Sequence, residues 1–175
     1  MKFIESPLTG VWTIEAETFR DERGSFSQVF LTEEFRQHKL ETEFGQWSLS
    51  DNEIRGTLRG MHFQKPPFAQ GKLIQCVRGS IFDVAIDLRE GSPTFRKWWG
   101  TEISAKNNRM LHIAPGFAHG FITLEDHTCV YYHLSKTYTP DSQSGIRWDD
   151  PKIGIHWPLN PTRVSDRDRA YPLLK

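Results

Sequence analysis

Between Leu58 and Val77 the chain reads LRGMHFQKPPFAQGKLIQCV, which gathers Arg59, His62, Gln64 and Lys72 into one short stretch. A histidine takes up and releases a proton near neutral pH. A lysine or arginine beside it holds negative charge, whether that of a phosphate or of an oxygen becoming an enolate. A base next to two cations is the minimum equipment for removing a proton from carbon beside a carbonyl. The same residues on an exposed strand would make a salt-bridged surface, and this stretch alone leaves both readings open.

Three further residues carry the same chemistry. Tyr132, in CVYYHL, has a phenol that can return a proton to carbon as a general acid, although a tyrosine between Val130 and Leu134 also reads as core. Asp168, in SDRDRA, is a candidate carboxylate, and with Ser165 three residues earlier it also reads as a helix capping pair. His119, in PGFAHGF, stands where Pro and Gly enter a strand. The run is similar to the second cupin-barrel motif, P-x-G-x-x-H, with Ala114 in place of the first proline. It reads equally as a structural histidine.

A metal centre fits these residues poorly. Barrels of this kind hold a metal through a His-x-His pair, a downstream carboxylate and a further histidine. Here Gln64 stands two positions after His62, and the charge between Gln64 and Lys72 is positive. A cation beside the site repels a divalent metal. The expectation is therefore no metal and no cofactor.

The elements that must position these residues are short. The length of 175 residues suits one domain, and 37% hydrophobic content with 12 Phe, 6 Trp and 4 Tyr suffices for a core. Lys+Arg and Asp+Glu both total 22, which argues against bulk binding to nucleic acid or an anionic membrane. No apolar run reaches the length of a membrane span, and MKFIESPLTG lacks the apolar centre of a signal peptide. Cys76 and Cys129 read as small core residues rather than a disulfide, which makes the cytoplasm the default location.

Alternation and turn residues predict strands over 11–14, 25–31, 44–50, 57–64, 72–77, 80–88, 95–103, 110–113, 117–124 and 128–134. A short helix over 32–39 has Thr32 as its expected cap. Asp51-Asn52-Glu53 reads as a turn, and Arg78-Gly79 as the turn of a hairpin between 72–77 and 80–88. In that second strand Phe82, Val84, Ile86 and Leu88 share one face, with Asp83 and Asp87 on the other. Strict alternation sends Arg59 and His62 to opposite faces, and Gly60 offers a bulge that would bring them together. After Tyr138 the prolines predict an irregular wrap ending in a short helix near Ser165. No long amphipathic helix, linker or repeat is present, so the pattern predicts an antiparallel sandwich or barrel.

The segments RGSF, LRGMHFQ, QGKLIQCVRGSIFDVAIDLREGSPTF, PGFAHGF, YTP, IRWDDPKIGIHWP and SDRD, in order from about Gly10 to Leu174, resemble the dTDP-4-dehydrorhamnose 3,5-epimerases. The resemblance implies an all-β cupin jelly roll without metal, working as a homodimer whose N-terminal strands cross to the partner subunit. It implies His62 as general base, Asp168 as the carboxylate that orients it, Lys72 on the C4 enolate oxygen and Tyr132 as the acid on the opposite face of the sugar. Arg59 and His119 would lie along the diphosphate. Arg23 and Phe26 from the partner, with Gln46 and Tyr138, would hold the nucleoside. Gln28 and Ser48, in the nucleotide- and sugar-holding segments, replace the usual glutamate and asparagine, and His133 replaces a common lysine. These departures leave open the base and the number of centres inverted. A single-centre epimerase, one acting on a CDP-linked sugar, and a non-catalytic sugar-binding cupin remain alternatives.

Overall fold

The computed structural model describes residues 1–174. Fourteen strands and two α-helices follow one another along the chain: β1 Lys2–Glu5, β2 Val11–Glu15, β3 Glu17–Asp21, β4 Gly24–Gln28, α1 Thr32–Gln37, β5 Gln46–Asn52, β6 Thr57–Gln64, β7 Lys72–Arg78, β8 Ser80–Asp87, β9 Trp98–Ser104, β10 Arg109–Ile113, β11 Phe117–Thr123, β12 Thr128–Leu134, β13 Gln143–Gly145, β14 Arg163–Val164 and α2 Asp166–Ala170. The first sheet runs β1-β2-β10-β7-β12-β5, and the second β13-β6-β11-β8-β9 with β14 added beside β6. β3 and β4 form a separate ribbon. The two large sheets make the antiparallel jelly roll that strand spacing predicts; only β14 runs parallel to its neighbour.

The central core lies between the sheets, where Val11, Ile74, Leu111 and Val130 of the first meet Ile81, Ala85, Ile103 and Phe121 of the second. A second cluster covers the outside of the second sheet. There Val84 and Ile86 pack against Ile146, Ile153 and Trp157 of the C-terminal wrap. A third, around Phe35 of α1, covers Ile14, Leu73 and Met110 on the outside of the first sheet.

Several local expectations are corrected. β7 and β8 form no hairpin. β7 pairs with β10 and β12, and β8 with β11 and β9. Gly79, at φ +76°, passes the chain from one sheet to the other. A tight turn marks a change of direction, and alternation does not say which strand becomes the partner. Asp83 and Asp87 share one face of β8, as alternation predicts; that face is the barrel interior, the wrap covers the other, and both carboxylates are fully buried. Asp51 and Asn52 extend β5, and the turn falls at 53–56 with Gly56 at φ +83°. The N-cap of α1 is Leu31, in extended backbone and without a side-chain cap bond, so Thr32 is the first helical residue. β4 stops at Gln28 and β9 starts at Trp98, each shorter than expected.

Candidate active site

β6 supplies Arg59 and His62, and Gly60 brings both to the same cavity. Across the β6–β11 ladder His62 stands opposite His119 and Arg59 opposite Phe121, so three steps on β6 match two on β11. Gly60 has φ +142°, and a Cβ there would lie 2.6 Å from Gly120 Cα. Only glycine meets both conditions, the positive φ and the close backbone approach. The expected bulge is present.

His62 Nε2 lies 2.7 Å from Asp168 Oδ1. Asp168 sits in α2, where its backbone N–H donates to the N-cap hydroxyl of Ser165 at 3.1 Å. Its other carboxylate oxygen accepts from Gly60 N–H at 3.1 Å. Burial alone would raise this carboxyl. The bonds from His62 and Gly60, with the charge of Arg167, outweigh that and hold it below its ordinary range. A carboxylate accepts, so Nε2–H donates and the free lone pair is on Nδ1, as a base requires. Asp168 thus fills both roles open to it: it follows the cap of α2, and its side chain orients His62.

The cavity holds about 270 Å³ and is lined by His62, Lys72, His119 and Tyr132 together with Arg59, Ser48 and Tyr138. Lys72 keeps some accessible surface because it lines this space, yet it lies deep in the barrel. Burial draws its ammonium down to about 8, against the opposing charge of Asp83. No hydrogen-bond or ion-pair partner for Lys72 is found among the described residues. His119 is buried and bonded through Nε2 to Asp83 Oδ1 at 2.6 Å. Burial pushes His119 down in spite of that carboxylate. The Tyr132 phenol is held well above its usual range, first by burial and then by the charge of Asp83.

Around this centre the binding candidates divide. Arg59 donates from Nε to Asn52 Oδ1 at 2.7 Å. Gln46 stands behind the wall, accepting from Tyr138 N–H at 2.7 Å and donating to Ser48 Oγ at 3.0 Å. The Tyr138 hydroxyl donates to Gln143. A second hollow of about 440 Å³ continues past His62 along Arg59, Arg163 and Arg167, an electropositive run suited to an anionic group. Arg23, Phe26 and Gln28 are not brought to the cavity. They lie on the β3–β4 ribbon, where Arg23 is paired with Asp21.

Gln64 is a structural residue. It donates to Phe68 O at 2.8 Å and accepts from Thr139 N–H at 2.6 Å, tying the 68 and 139 loops together. Among the described residues no group of three or more His, Cys, Asp or Glu side chains is placed to hold a metal ion. His133 does not reach the cavity. It faces the outside of β12 in an apolar box with Phe44, Trp47 and Tyr131. Sequence reading missed Asp83, Ser50, Gln143 and Arg167. The signal for Asp83 was present, since a carboxylate inside the apolar run SIFDVAID is rarely buried without a partner.

A cupin-like jelly roll with a His–Asp pair, a half-buried lysine and a half-buried tyrosine around one cavity belongs to the class of barrels equipped for acid–base chemistry. Within that class the family is specific. The chain belongs to the dTDP-4-dehydrorhamnose 3,5-epimerase family, whose model matches residues 5–175. It is 44% identical over 180 residues to the dTDP-4-dehydrorhamnose 3,5-epimerase of Methanothermobacter thermautotrophicus, covering 99% of this chain and 95% of that one. The crystal structure of the Bacillus anthracis dTDP-4-dehydrorhamnose 3,5-epimerase with TDP and PPi bound is similar at a TM-score of 0.95 and 43% identity, with 99% of each chain covered. A 3'-monoepimerase from Streptomyces bikiniensis in complex with dTDP-quinovose is similar at a TM-score of 0.90 and 33% identity, covering 96% of this chain and 85% of that one.

Proposed function

We propose that this protein inverts C3 and C5 of dTDP-4-dehydro-6-deoxy-D-glucose, giving dTDP-4-dehydro-L-rhamnose. The observation that carries the reading is the His62–Asp168 pair facing one cavity with Lys72 and Tyr132. In a 4-keto sugar the C–H bonds at C3 and C5 flank the carbonyl. His62 Nδ1 removes one of these protons, and the electron pair moves to the C4 oxygen. Lys72 stabilises that oxygen as a fixed cation in a site of low dielectric. Tyr132 returns a proton to carbon from the opposite face, the C4 ketone reforms, and the centre is inverted. The phenolate and the imidazolium then exchange with solvent, so no proton is gained or lost overall.

Arg59 and the arginines of the neighbouring hollow hold the diphosphate, with His119 alongside; Ser48 and Tyr138 face the nucleoside end, and Gln46 holds both from behind the wall. We read the assembly as a homodimer in which Arg23, Phe26 and Gln28 complete the partner's site. The β3–β4 ribbon pairs with no other strand of its own chain and leaves Phe19 and Phe26 52% and 66% exposed. Trp47 and Leu49 on the edge strand β5 are exposed as well. An apolar surface of this kind supports burial against a second copy. The two unpaired cysteines fit a reducing compartment, and we place the protein in the cytoplasm. Among the described residues no helix is long and apolar enough to cross a membrane.

The single-centre reading keeps one support, the likeness to the 3'-monoepimerase. His133 gives it none, because that side chain lies outside the cavity. NMR of the substrate in deuterated water tests the proposal. Label at both C3 and C5 with inversion at both supports it. Label at one centre makes the protein a monoepimerase, and no label makes it a binding protein.

A further inference from the structure

Tyr132 has to give up its phenol proton in surroundings that oppose the loss. The groups facing it are Asp83 from β8, Arg59 and His62 from β6, Lys72 and Cys76 from β7, and His119 from β11, whose ring centroid is 6.1 Å away. Burial and the Asp83 charge favour the neutral phenol; Arg59 opposes them. The Ser50 hydroxyl, which lines the same cavity, acts with Arg59 against them.

The sheet sets the two side chains beside each other. On the β5–β12 ladder Ser50 stands opposite Val130 and Ser48 opposite Tyr132. Ser50 is therefore the diagonal neighbour of Tyr132 on the same face, and both line the cavity. Asn52, two residues on, sets the direction of the Ser50 hydroxyl. Asn52 is 2% exposed. Its amide nitrogen donates to Ser50 O at 3.0 Å and to Thr128 O at 3.1 Å. That orients Oδ1 toward Arg59 Nε, at 2.7 Å, and toward the Ser50 hydroxyl, at 3.4 Å. In the resting arrangement the Ser50 hydroxyl thus points its proton to Asn52 and lines the cavity beside Tyr132.

We propose that Ser50 is a positioning residue for Tyr132, its hydroxyl turning from Asn52 to donate to the phenolate once the proton has passed to carbon. Asn52, fixed by Arg59, sets the resting direction. The O–H bond of Tyr132 breaks as the C–H bond of the sugar forms, the electron pair stays on the phenolate oxygen, and the Ser50 hydroxyl turns to meet it. The inference rests on Tyr132 being the acid.

The test measures deuterium exchange and inversion separately for Ser50→Ala, Ser50→Thr, Tyr132→Phe and the Ser50→Ala/Tyr132→Phe double variant. Loss of a hydrogen bond to a charged oxygen predicts inversion slower by on the order of tenfold to a hundredfold in Ser50→Ala. Exchange through His62 stays at its original rate, Ser50→Thr restores inversion, and Ser50→Ala adds nothing in the Tyr132→Phe background. Unchanged inversion in Ser50→Ala overturns the proposal. So does equal slowing of exchange and inversion, which is the signature of a merely structural role, or a further loss in the double variant. If Tyr132→Phe alone keeps full inversion, the acid is another group and the Ser50 role falls with it. If Tyr132→Phe is impaired and Ser50→Ala is not, only the Ser50 role falls.

Discussion

His62 and Asp168 are 106 positions apart in the chain, and their side chains meet at 2.7 Å. The contact joins the bulged strand β6 to the first turn of α2, so the wrap that closes the barrel also orients the His62 ring. His62→Ala is expected to abolish both deuterium exchange and inversion, since loss of a general base costs on the order of 10²–10⁴ in rate. Asp168→Asn keeps the shape and removes the charge that supports the imidazolium, and its rate should fall between wild type and His62→Ala. The same change has a stability signature. The folded carboxyl is held below its ordinary value, so its contribution is present above that ordinary value and is lost as pH falls through the lowered one. Urea unfolding should show Asp168→Asn less stable than wild type at pH 7, with the gap closing toward pH 3.

Lys72 should trade stability for activity. Its ammonium titrates at about 8 rather than at the ordinary 10.5 because burial disfavours the charge. Between those values the unfolded chain binds more protons, so stability rises with pH across that window. Below pH 8 both states are protonated and the full penalty applies. Lys72→Met should therefore raise stability at pH 7 by up to about 3 kcal/mol, read as a higher melting temperature. Its rate should fall by on the order of 10²–10³, as for loss of an oxyanion donor. In the wild type inversion should decline as pH rises through about 8, where Lys72 loses its proton. A flat profile from pH 7 to 9.5 would count against Lys72 as the enolate cation.

Tyr132→Phe separates the two half-reactions. The ring keeps its packing against the central core and against Phe121, whose centroid lies 6.4 Å away. Only the phenol proton is removed. Exchange at the centres should continue while inversion slows by on the order of 10²-fold or more. Full inversion at both centres in this variant would assign the acid role to another group or to water.

The ribbon decides whether one chain suffices. Arg23 and Phe26 lie away from their own chain's cavity. Arg23→Ala and Phe26→Ala should raise KM for the nucleotide sugar with little change in the melting temperature. Mixing Arg23→Ala with His62→Ala subunits should restore part of the activity, because one mixed site then holds an intact base and an intact ribbon. A fully active monomer in sedimentation at assay concentration would be incompatible with a shared site.

By itself the sequence determined the class of fold, the presence of His62, Lys72, Tyr132 and Asp168 as candidates for one site, and the device that brings Arg59 and His62 together. Alternating apolar residues between Gly, Pro and Asn turns specify short antiparallel strands, because side chains on a strand repeat every two residues. Gly60 between Arg59 and Met61 marked the bulge, because only a residue without Cβ accepts that backbone and that approach. Tertiary structure decided what local pattern does not contain. Which strand lies beside β7 depends on the closure of the whole sandwich, so a turn at Gly79 became a crossing between sheets and not a hairpin. Alternation put Asp83 on the face opposite Phe82 and Val84 and did not say what covers either face. Asp83 is buried because the C-terminal wrap covers those neighbours and leaves it facing inward, bonded to His119. His133 stood beside Tyr132 in sequence, and the pleat sent it to the opposite face. Ser50 became the diagonal neighbour of Tyr132 only when β5 paired with β12, since such a pair exists in the register of a sheet and in no segment alone.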